Sequence, residues 1–322
     1  MLDLIKETET AEEIGIIGHI RPDGDCVGSC LSLYCYLSNV YRDTEKKITV
    51  FLEQPSGIYS YLKGYSEIDS MYGYRKLDVC FSLDASTPDR LGDGLALFKN
   101  ADRTICVDHH VSNQGFADLN LIEPQASSTA ELLFTLYKEE YIDADVAQGV
   151  FTGIVHDSGV FQYSCMGRRS FEIVGKLCDY DFDRTRIIDE TFYEKSYAQN
   201  QMLGRTLLES ILFMDGKCIA GSVSRKVMDF YQVEPKDLDG IVNQLRVTKG
   251  VEVAIFLYEL HSLEYKVSMR SNGIVDVARI AAIFGGGGHV RAAGCTMNGT
   301  VYDVLNNISK HIEEQLKEHG QI

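Results

Sequence analysis

Three short apolar runs in the first half of the chain each stop on a side chain that can hold a proton or a metal. EIGIIGH (13–19) stops at His19, DVCFSLD (78–84) at Asp84 and RTICVD (103–108) at Asp108. Each run reads as a strand, as does ITVFLE (48–53). Helical patterns lie between and after them: VGSCLSLYCYLSNV (27–40), SSTAELLFTLYKEEY (127–141) and DADVAQGVFTGIVHD (143–157). Strands alternating with helices argue for a parallel sheet with helices on both faces. In open sheets of that kind ligands sit beyond the carboxyl ends of the strands, so the polar ends fall where the fold would put a site.

The pattern changes in the second half. Residues 188–206 read as a helical connector without an apolar core of its own, and ILFMD-GK-CIAGSVS (211–224) as a hairpin turning at Asp215-Gly216. A helical stretch (235–247), two long strands (251–260 and 264–271), a helix (275–284), four glycines (Gly285–Gly288) and an amphipathic helix (301–319) follow. At about 150 residues per domain, 322 residues suffice for two. The expected fold class is α/β, with a parallel-sheet domain over 1–187, a connector over 188–206 and a smaller α+β domain over 207–322, the two domains flanking an active-site cleft.

Charge narrows the function. The net charge is −16, and residues 1–187 carry 17 basic against 30 acidic side chains. Binding a long nucleic acid rests on many Lys/Arg contacts with phosphates, so such a grip is not expected. An anionic substrate has to be small and held in a pocket, or bound cations have to offset the acidic half. No apolar run approaches the roughly 20 residues of a membrane span, and the opening segment MLDLIKETETAEEIG is too acidic for a targeting peptide. The expected location is the cytoplasm. The nine cysteines are scattered without a C-x-x-C pair, so Cys26, Cys30 and Cys35 read as reduced, buried small hydrophobes.

The sharpest constellation is His19-Ile-Arg-Pro-Asp23-Gly-Asp25, a Pro/Gly turn between a strand and a helix. It aims an imidazole and two carboxylates at one point, a donor set suited to manganese, iron, cobalt or zinc. An Asp-Gly turn followed by an Asp helix cap would give the same letters. Asp84 alone reads as a turn or cap residue. Asp108-His109-His110 is harder to explain as loop surface, and one member fits the partner of a ligand's second ring nitrogen. His156-Asp157 closes a helix before Ser158-Gly159. So many carboxylates gathered together repel unless protons or cations neutralise them. Two divalent metals would do so and would suit phosphoryl hydrolysis.

H-x-x-P-D-x-D-x-x-G-S, the strand-end Asp84, D-H-H and H-D-S-G resemble, in order, the four motifs of the DHH phosphoesterases. GGGGHVRAAG (285–294) resembles the signature of the DHH-associated C-terminal domain. The resemblance spans nearly the whole chain and points to the branch of bacterial nano-RNase/pAp phosphatases. It implies two divalent metal ions, manganese being the choice. His19 and Asp23 would hold one, Asp25, His109 and Asp157 the other, with Asp84 bridging. Asp108 would orient a histidine, and His110 would face the scissile phosphate. The implied reaction is hydrolysis, without a covalent phosphoenzyme, of short oligoribonucleotides and dinucleotides to mononucleotides and of adenosine 3′,5′-bisphosphate (pAp) to AMP. By analogy the chain forms a homodimer. Cys26 has no role in this pattern.

In the second domain, Gly286, Gly287 and Gly288 before His289 read as a loop that lets backbone N–H groups approach a ligand. The plain alternative is a flexible linker before a strand. Arg270-Ser271 ends a strand and suits a terminal phosphate. Arg291 is a similar candidate, and Asn243 and Arg246 share a helix face. Each has a plain reading as solvated surface. His261, His311 and His319 read as surface residues. Ser224-Arg225-Lys226 matches three residues of the family II inorganic pyrophosphatases, against which the glycine-rich signature stands. The runner-up function is a phosphodiesterase for cyclic or linear di-adenylate. A RecJ-like exonuclease lacks the basic face it needs here, and a non-catalytic nucleotide sensor would not need a complete ligand set.

Overall fold

The apolar runs of the first half pair side by side in one parallel sheet. In this computed structural model, which describes residues 2–163 and 165–320, the chain divides into two units, Met1–Glu194 and Lys195–Ile322. The sheet of the N-terminal unit holds β1 (Glu13–Ile17), β2 (Lys47–Phe51), β3 (Val79–Leu83), β4 (Arg103–Asp108) and β5 (Leu119–Ile122) in the order β2-β1-β3-β4-β5. Ile17 lies opposite Ser82 and Leu83 opposite Val107, so the carboxyl ends of the three central strands are level. From β1 the chain first builds outward to β2 and then returns to place β3 on the other side. The order therefore reverses between β1 and β3, and a crevice at such a switch point is where open α/β sheets bind ligands.

The helices of this unit are α1 (Leu4–Thr8), α2 (Gly24–Val40), α3 (Gly94–Asn100), α4 (Thr129–Leu136), α5 (Ala144–Asp157), α6 (Arg168–Leu177) and α7 (Arg184–Ile188), the last followed by a π-helical turn, Asp189–Tyr193. Alternate strand residues face opposite ways. Ile14, Ile16, Phe81, Leu83, Ile105 and Val107 pack with α2, α4 and α5, whereas Ile17, Phe51, Cys80 and Leu77 pack with Leu97 and Phe98 of α3. The α2 sequence is apolar nearly all round because the helix is buried nearly all round, and Cys26, Cys30 and Cys35 are free and buried. Its start is fixed by Asp23, whose Oδ1 accepts from the N–H groups of Asp25 and Cys26, both at 3.2 Å. Helices α2 and α5 meet backbone to backbone. A Cβ on Gly28 would lie 2.5 Å from Gly149 O and 2.8 Å from Gly153 N, and one on Gly153 2.6 Å from Asp25 Oδ1.

Three details differ from the sequence reading. β1 stops at Ile17 rather than His19, because Gly18 has no room for a side chain against Cys26 and Leu52 and the chain turns there. The half-buried edge strand β5 escapes apolar-pattern reading, since it buries little, and α6 is a further short helix with Ile173 and Leu177 on its buried side. The four glycines are not all loop: β10 (Gly287–His289) is an edge strand, described next.

The C-terminal unit is a six-stranded mixed sheet, order β10-β11-β9-β8-β7-β6. Its strands are β6 (Ile211–Phe213), β7 (Cys218–Val223), β8 (Val253–His261), β9 (Glu264–Ser271), β10 and β11 (Ala292–Asn298). Only β7 and β8 pair in parallel. The β6–β7 hairpin turns through Asp215 and Gly216, both at positive φ. Helices α11 (Val277–Ile283) and α12 (Val301–Glu318) cover one face, with Val277, Ile280, Ile308 and Ile312 in that core. Helices α8 (Tyr197–Leu208), α9 (Arg225–Tyr231) and α10 (Ile241–Arg246) cover the other through Met202, Met228 and Leu245. No helix among the described residues is long and apolar enough to cross a membrane.

The α2–α5 contact gives a first prediction. Gly28→Ala inserts a methyl where the backbones touch, and overpacking of this kind costs about 1–3 kcal/mol. The free energy of urea unfolding should fall by that amount, with a correspondingly lower midpoint; an unchanged midpoint would mean the helices separate without strain.

Candidate metal centre

The loops leaving β1, β3 and β4 and the end of α5 converge on one cluster. His19 follows β1 across Gly18, Asp84 directly follows β3, and Asp108 ends β4 with His109 and His110 after it. Asp157 closes α5, and Asp23 and Asp25 stand at the start of α2. One donor atom from each of His19, Asp23 and Asp84 lies within 4.8 Å of the others. The same holds for Asp25, His109 and Asp157, and for Asp84, His109 and His110. Asp84 joins the sets: its Oδ2 is 3.5 Å from His19 Nε2, and its Oδ1 is 3.7 Å from His109 Nε2. His109 Nε2 is 3.1 Å from Asp157 Oδ2, and His19 Nε2 is 3.6 Å from Asp23 Oδ1.

Asp25 and Asp84 are buried, at 1% and 3% exposure, whereas Asp157 and His110 are partly open and Asp23 faces solvent. Burial and the neighbouring carboxylates push Asp157 up to about 9 and hold Asp84 well above the carboxylate range. Burial opposes charge on His19, but the adjacent Asp23 and Asp84 outweigh it and raise the imidazole to about 11. A cluster of carboxylates and imidazoles that must hold protons when alone has the chemistry of a divalent-cation site. The donor set fits two ions: His19 and Asp23 would hold one, Asp25, His109 and Asp157 the other, with an oxygen of Asp84 turned to each set.

Asp108 is fully buried and stands outside the three groups that could hold an ion. Its Oδ1 takes His110 Nδ1 at 2.7 Å and His109 N–H at 2.9 Å, and its Oδ2 takes Asn113 Nδ2 at 2.7 Å. Burial would raise its pKa, but these bonds outweigh it and bring Asp108 below the usual carboxylate range; in return its hydrogen bond raises His110.

Several residues at the site were not legible as functional. Asn113 and Arg90 are two; the Arg90 guanidinium lies 3.0 Å from His19 Nδ1, and nothing in the sequence marks either. Thr129 and Ala130 donate their N–H groups to Asp25 at 2.7 and 3.0 Å. They sit in Ser128-Thr-Ala-Glu131, whose S-x-x-E spacing announces a helix start but not what that start faces. Ser29 also donates to Asp25, at 3.1 Å.

In the C-terminal unit, α10 and the end of β9 gather Asn243, Arg246 and Arg270. Arg270 Nε donates to Asn243 Oδ1 at 3.2 Å, and Arg246 Nη1 to Asn272 Oδ1 at 2.7 Å. Arg291 and His289 are exposed on the adjoining β10–β11 hairpin, where Arg291 O accepts from Ser271 N–H at 3.0 Å. Ser271 itself is turned inward. Strand alternation sends it away from Arg270, and its hydroxyl donates to Glu252 Oε1 at 3.0 Å. The glycines have a packing reason first: a Cβ would lie 2.2 Å from Gly294 O at Gly286 and 2.4 Å from Ala292 O at Gly288. Gly287 is exposed with open space around it. His261 and His319 are exposed, and His311 is half-buried beside Glu314.

Residues 13–154 match the DHH family, N-terminal domain, and residues 216–318 match the DHHA1 domain. The chain is 27% identical to the bifunctional oligoribonuclease and PAP phosphatase NrnA of Thermus thermophilus, covering 99% of this chain and 95% of that protein. It is 23% identical to the Bacillus subtilis protein of the same name, over 98% of this chain and 99% of the relative. Among solved structures, an exopolyphosphatase-related protein from Bacteroides fragilis superposes with a TM-score of 0.85 at 26% identity, over 96% of this chain and 94% of the other.

The protonated cluster makes metal binding pH-dependent. Protons held on His19, Asp84 and Asp157 must leave before their lone pairs can bind an ion. Raising the pH from 6 to 8 should therefore strengthen Mn²⁺ binding about tenfold per unit for each proton displaced. Titration calorimetry in buffers of different ionisation enthalpy should show proton release. Binding independent of both pH and buffer would contradict this account of the cluster.

Proposed function

We propose that this chain, in which a DHH domain is followed by a DHHA1 domain, is a phosphoesterase that hydrolyses short oligoribonucleotides and dinucleotides to mononucleotides and pAp to AMP. The observation that carries this reading is Asp84, whose two oxygens face two clusters of donors that could each hold an ion, at the switch point of the sheet. Two ions bound there, for which we propose manganese, would supply Lewis-acid polarisation of a phosphoryl group and a water acidic enough to attack near neutral pH. The relatives named NrnA, alike over nearly their whole length, support the substrate class.

The chain's own residues do the rest. His110, bound through Nδ1 to the buried Asp108 and partly exposed, presents its Nε2 as a hydrogen-bond donor to a phosphoryl or leaving oxygen. Asp108 keeps that ring in one orientation and favours its protonated form. The arginines of the C-terminal unit, Arg270, Arg246 and Arg291, are the proposed phosphate partners, since guanidinium groups match phosphate oxygens two at a time. His289 and the backbone of Gly286–Gly288 are proposed beside them. Both pAp and a dinucleotide offer a 3′-linked phosphate, so the same metal centre would act on both.

The test is a substrate panel with Mn²⁺-loaded protein: pAp, pApA, a five-nucleotide RNA, cyclic di-AMP and pyrophosphate. Turnover of pAp, pApA and the short RNA is expected, with Asp84→Asn reduced at least about a thousandfold, as for loss of a group that acts only with the whole constellation. His110→Ala should lower kcat by about a hundredfold or more with little change in KM. Cleavage confined to di-adenylates would replace this function with a signalling-nucleotide hydrolase, and cleavage of pyrophosphate alone would refute the substrate assignment.

A further inference from the structure

Two carboxylates of the centre are held from one direction by the first turn of α4. Asp25 takes both N–H groups already described, from Thr129 and Ala130. The hydroxyl of Thr129 reaches the other carboxylate, with Oγ1 3.0 Å from Asp84 Oδ1. Thr129 is fully buried. Asp84 Oδ1 is also the oxygen that faces His109 and His110, each at 3.7 Å, while Oδ2 faces His19. The torsion that rotates a carboxylate about its own axis is broad and roughly two-fold, so the side chain alone does not choose this orientation. Nor does a regular strand: Asp84 lies just past β3 at a positive φ of 57°. The Thr129 hydroxyl donates to one oxygen of that carboxylate, a contact that fixes the plane in which the group lies.

The start of α4 is itself anchored. Buried Glu131 accepts from Ser127 N–H at 3.1 Å, Ser170 Oγ at 2.6 Å and Arg169 Nε at 2.6 Å. Ser128 caps the helix by accepting Glu131 N–H at 3.0 Å. The first turn therefore stands in a defined place, and a hydroxyl mounted on it can serve as a fixed reference for a neighbouring side chain.

We propose that Thr129 is a positioning residue for the carboxylate between the two ligand sets, turning Asp84 so that one oxygen addresses each set and the two ions are held as a bridged pair. The inference rests on the metal-centre reading above and adds to it a residue that binds neither ion nor substrate. Partners that orient a metal ligand typically change metal affinity or activity 10–100-fold when removed, and that range sets the expected effect.

The test uses the full chain and Mn²⁺ itself, without substrate. Thr129→Val keeps the shape and the N–H to Asp25 but removes the hydroxyl, and Thr129→Ser restores it. Calorimetric titration and low-temperature electron paramagnetic resonance read affinity, stoichiometry and exchange coupling between two ions. The wild-type protein should bind two ions with a coupled spectrum. Thr129→Val should lose the coupled spectrum and bind one ion about 10–100-fold more weakly, with circular dichroism unchanged, and Thr129→Ser should return to within a few-fold of wild type. A Val variant that keeps the coupled pair and both affinities overturns the proposal. If Val disturbs the fold, Thr129→Ala against Thr129→Ser decides: Ala weakened and Ser wild-type-like supports the role, and Ala equal to Ser overturns it. A wild-type protein that binds no pair of ions overturns the metal-centre reading, and this inference with it.

Discussion

Repulsion among Asp25, Asp84 and Asp157 is the constraint around which the N-terminal unit is organised. Two like charges about 4 Å apart cost about 4 kcal/mol at the effective dielectric near a protein surface, and more where water is excluded. The fold answers this at every carboxylate. Asp25 sits on two helix N–H groups and Ser29, Asp84 on Thr129 and His19, and Asp157 beside His109. Burial, together with the repulsion those donors leave uncompensated, favours protons on Asp84 and Asp157, and the neighbouring carboxylates favour one on His19; cations can replace them.

That arrangement demands close backbone packing. Asp25 belongs to the first turn of α2, Asp157 to the last of α5, and the two helices cross where Gly28, Gly149 and Gly153 remove side chains from the contact. A Cβ on Gly153 would strike the Asp25 carboxylate itself. The glycines thus set both the approach of the helices and the room around a ligand. The level carboxyl ends of β1, β3 and β4 then deliver His19, Asp84 and Asp108-His109-His110 to the same end of the sheet. Asp108, though part of the Asp108-His109-His110 triplet, works by hydrogen bonds: buried and below the usual carboxylate range, it holds His110 and stands outside the groups that could hold an ion.

In the C-terminal unit the same letters mean something different from what their chemistry suggests at first sight. Glycines at 286 and 288 serve the close approach of β11, and Ser271 is spent on Glu252. The polar groups left at that end of the sheet are Asn243, Arg246, Arg270 and Asn272, tied in pairs, with Arg291 on the neighbouring hairpin.

Local patterns were enough to read the parallel sheet, the α2 and α5 helices, the C-terminal hairpin and the His and Asp side chains that the fold gathers into clusters of donors. A strand is short, its apolar run is continuous, and a hard ligand at its end stands out against that background. Helix α6 carries Ile173, Val174 and Leu177 at helical spacing, but β5, a four-residue strand with no fully buried residue, leaves no alternation to detect and was not legible. Nor was the partner of each ligand. The capping spacing of Ser128 and Glu131 shows that a helix begins there, but the 104 residues between Asp25 and Thr129 are bridged only by folding. Which atoms face each other across such a distance depends on strand order, register and the glycine contacts between helices, and these are properties of the packed chain. The sequence by itself determined the kinds of donor and the elements that carry them. The tertiary structure decided how the Asp84 carboxylate is turned between the two clusters of donors, because only packing places a Thr129 hydroxyl within reach of it.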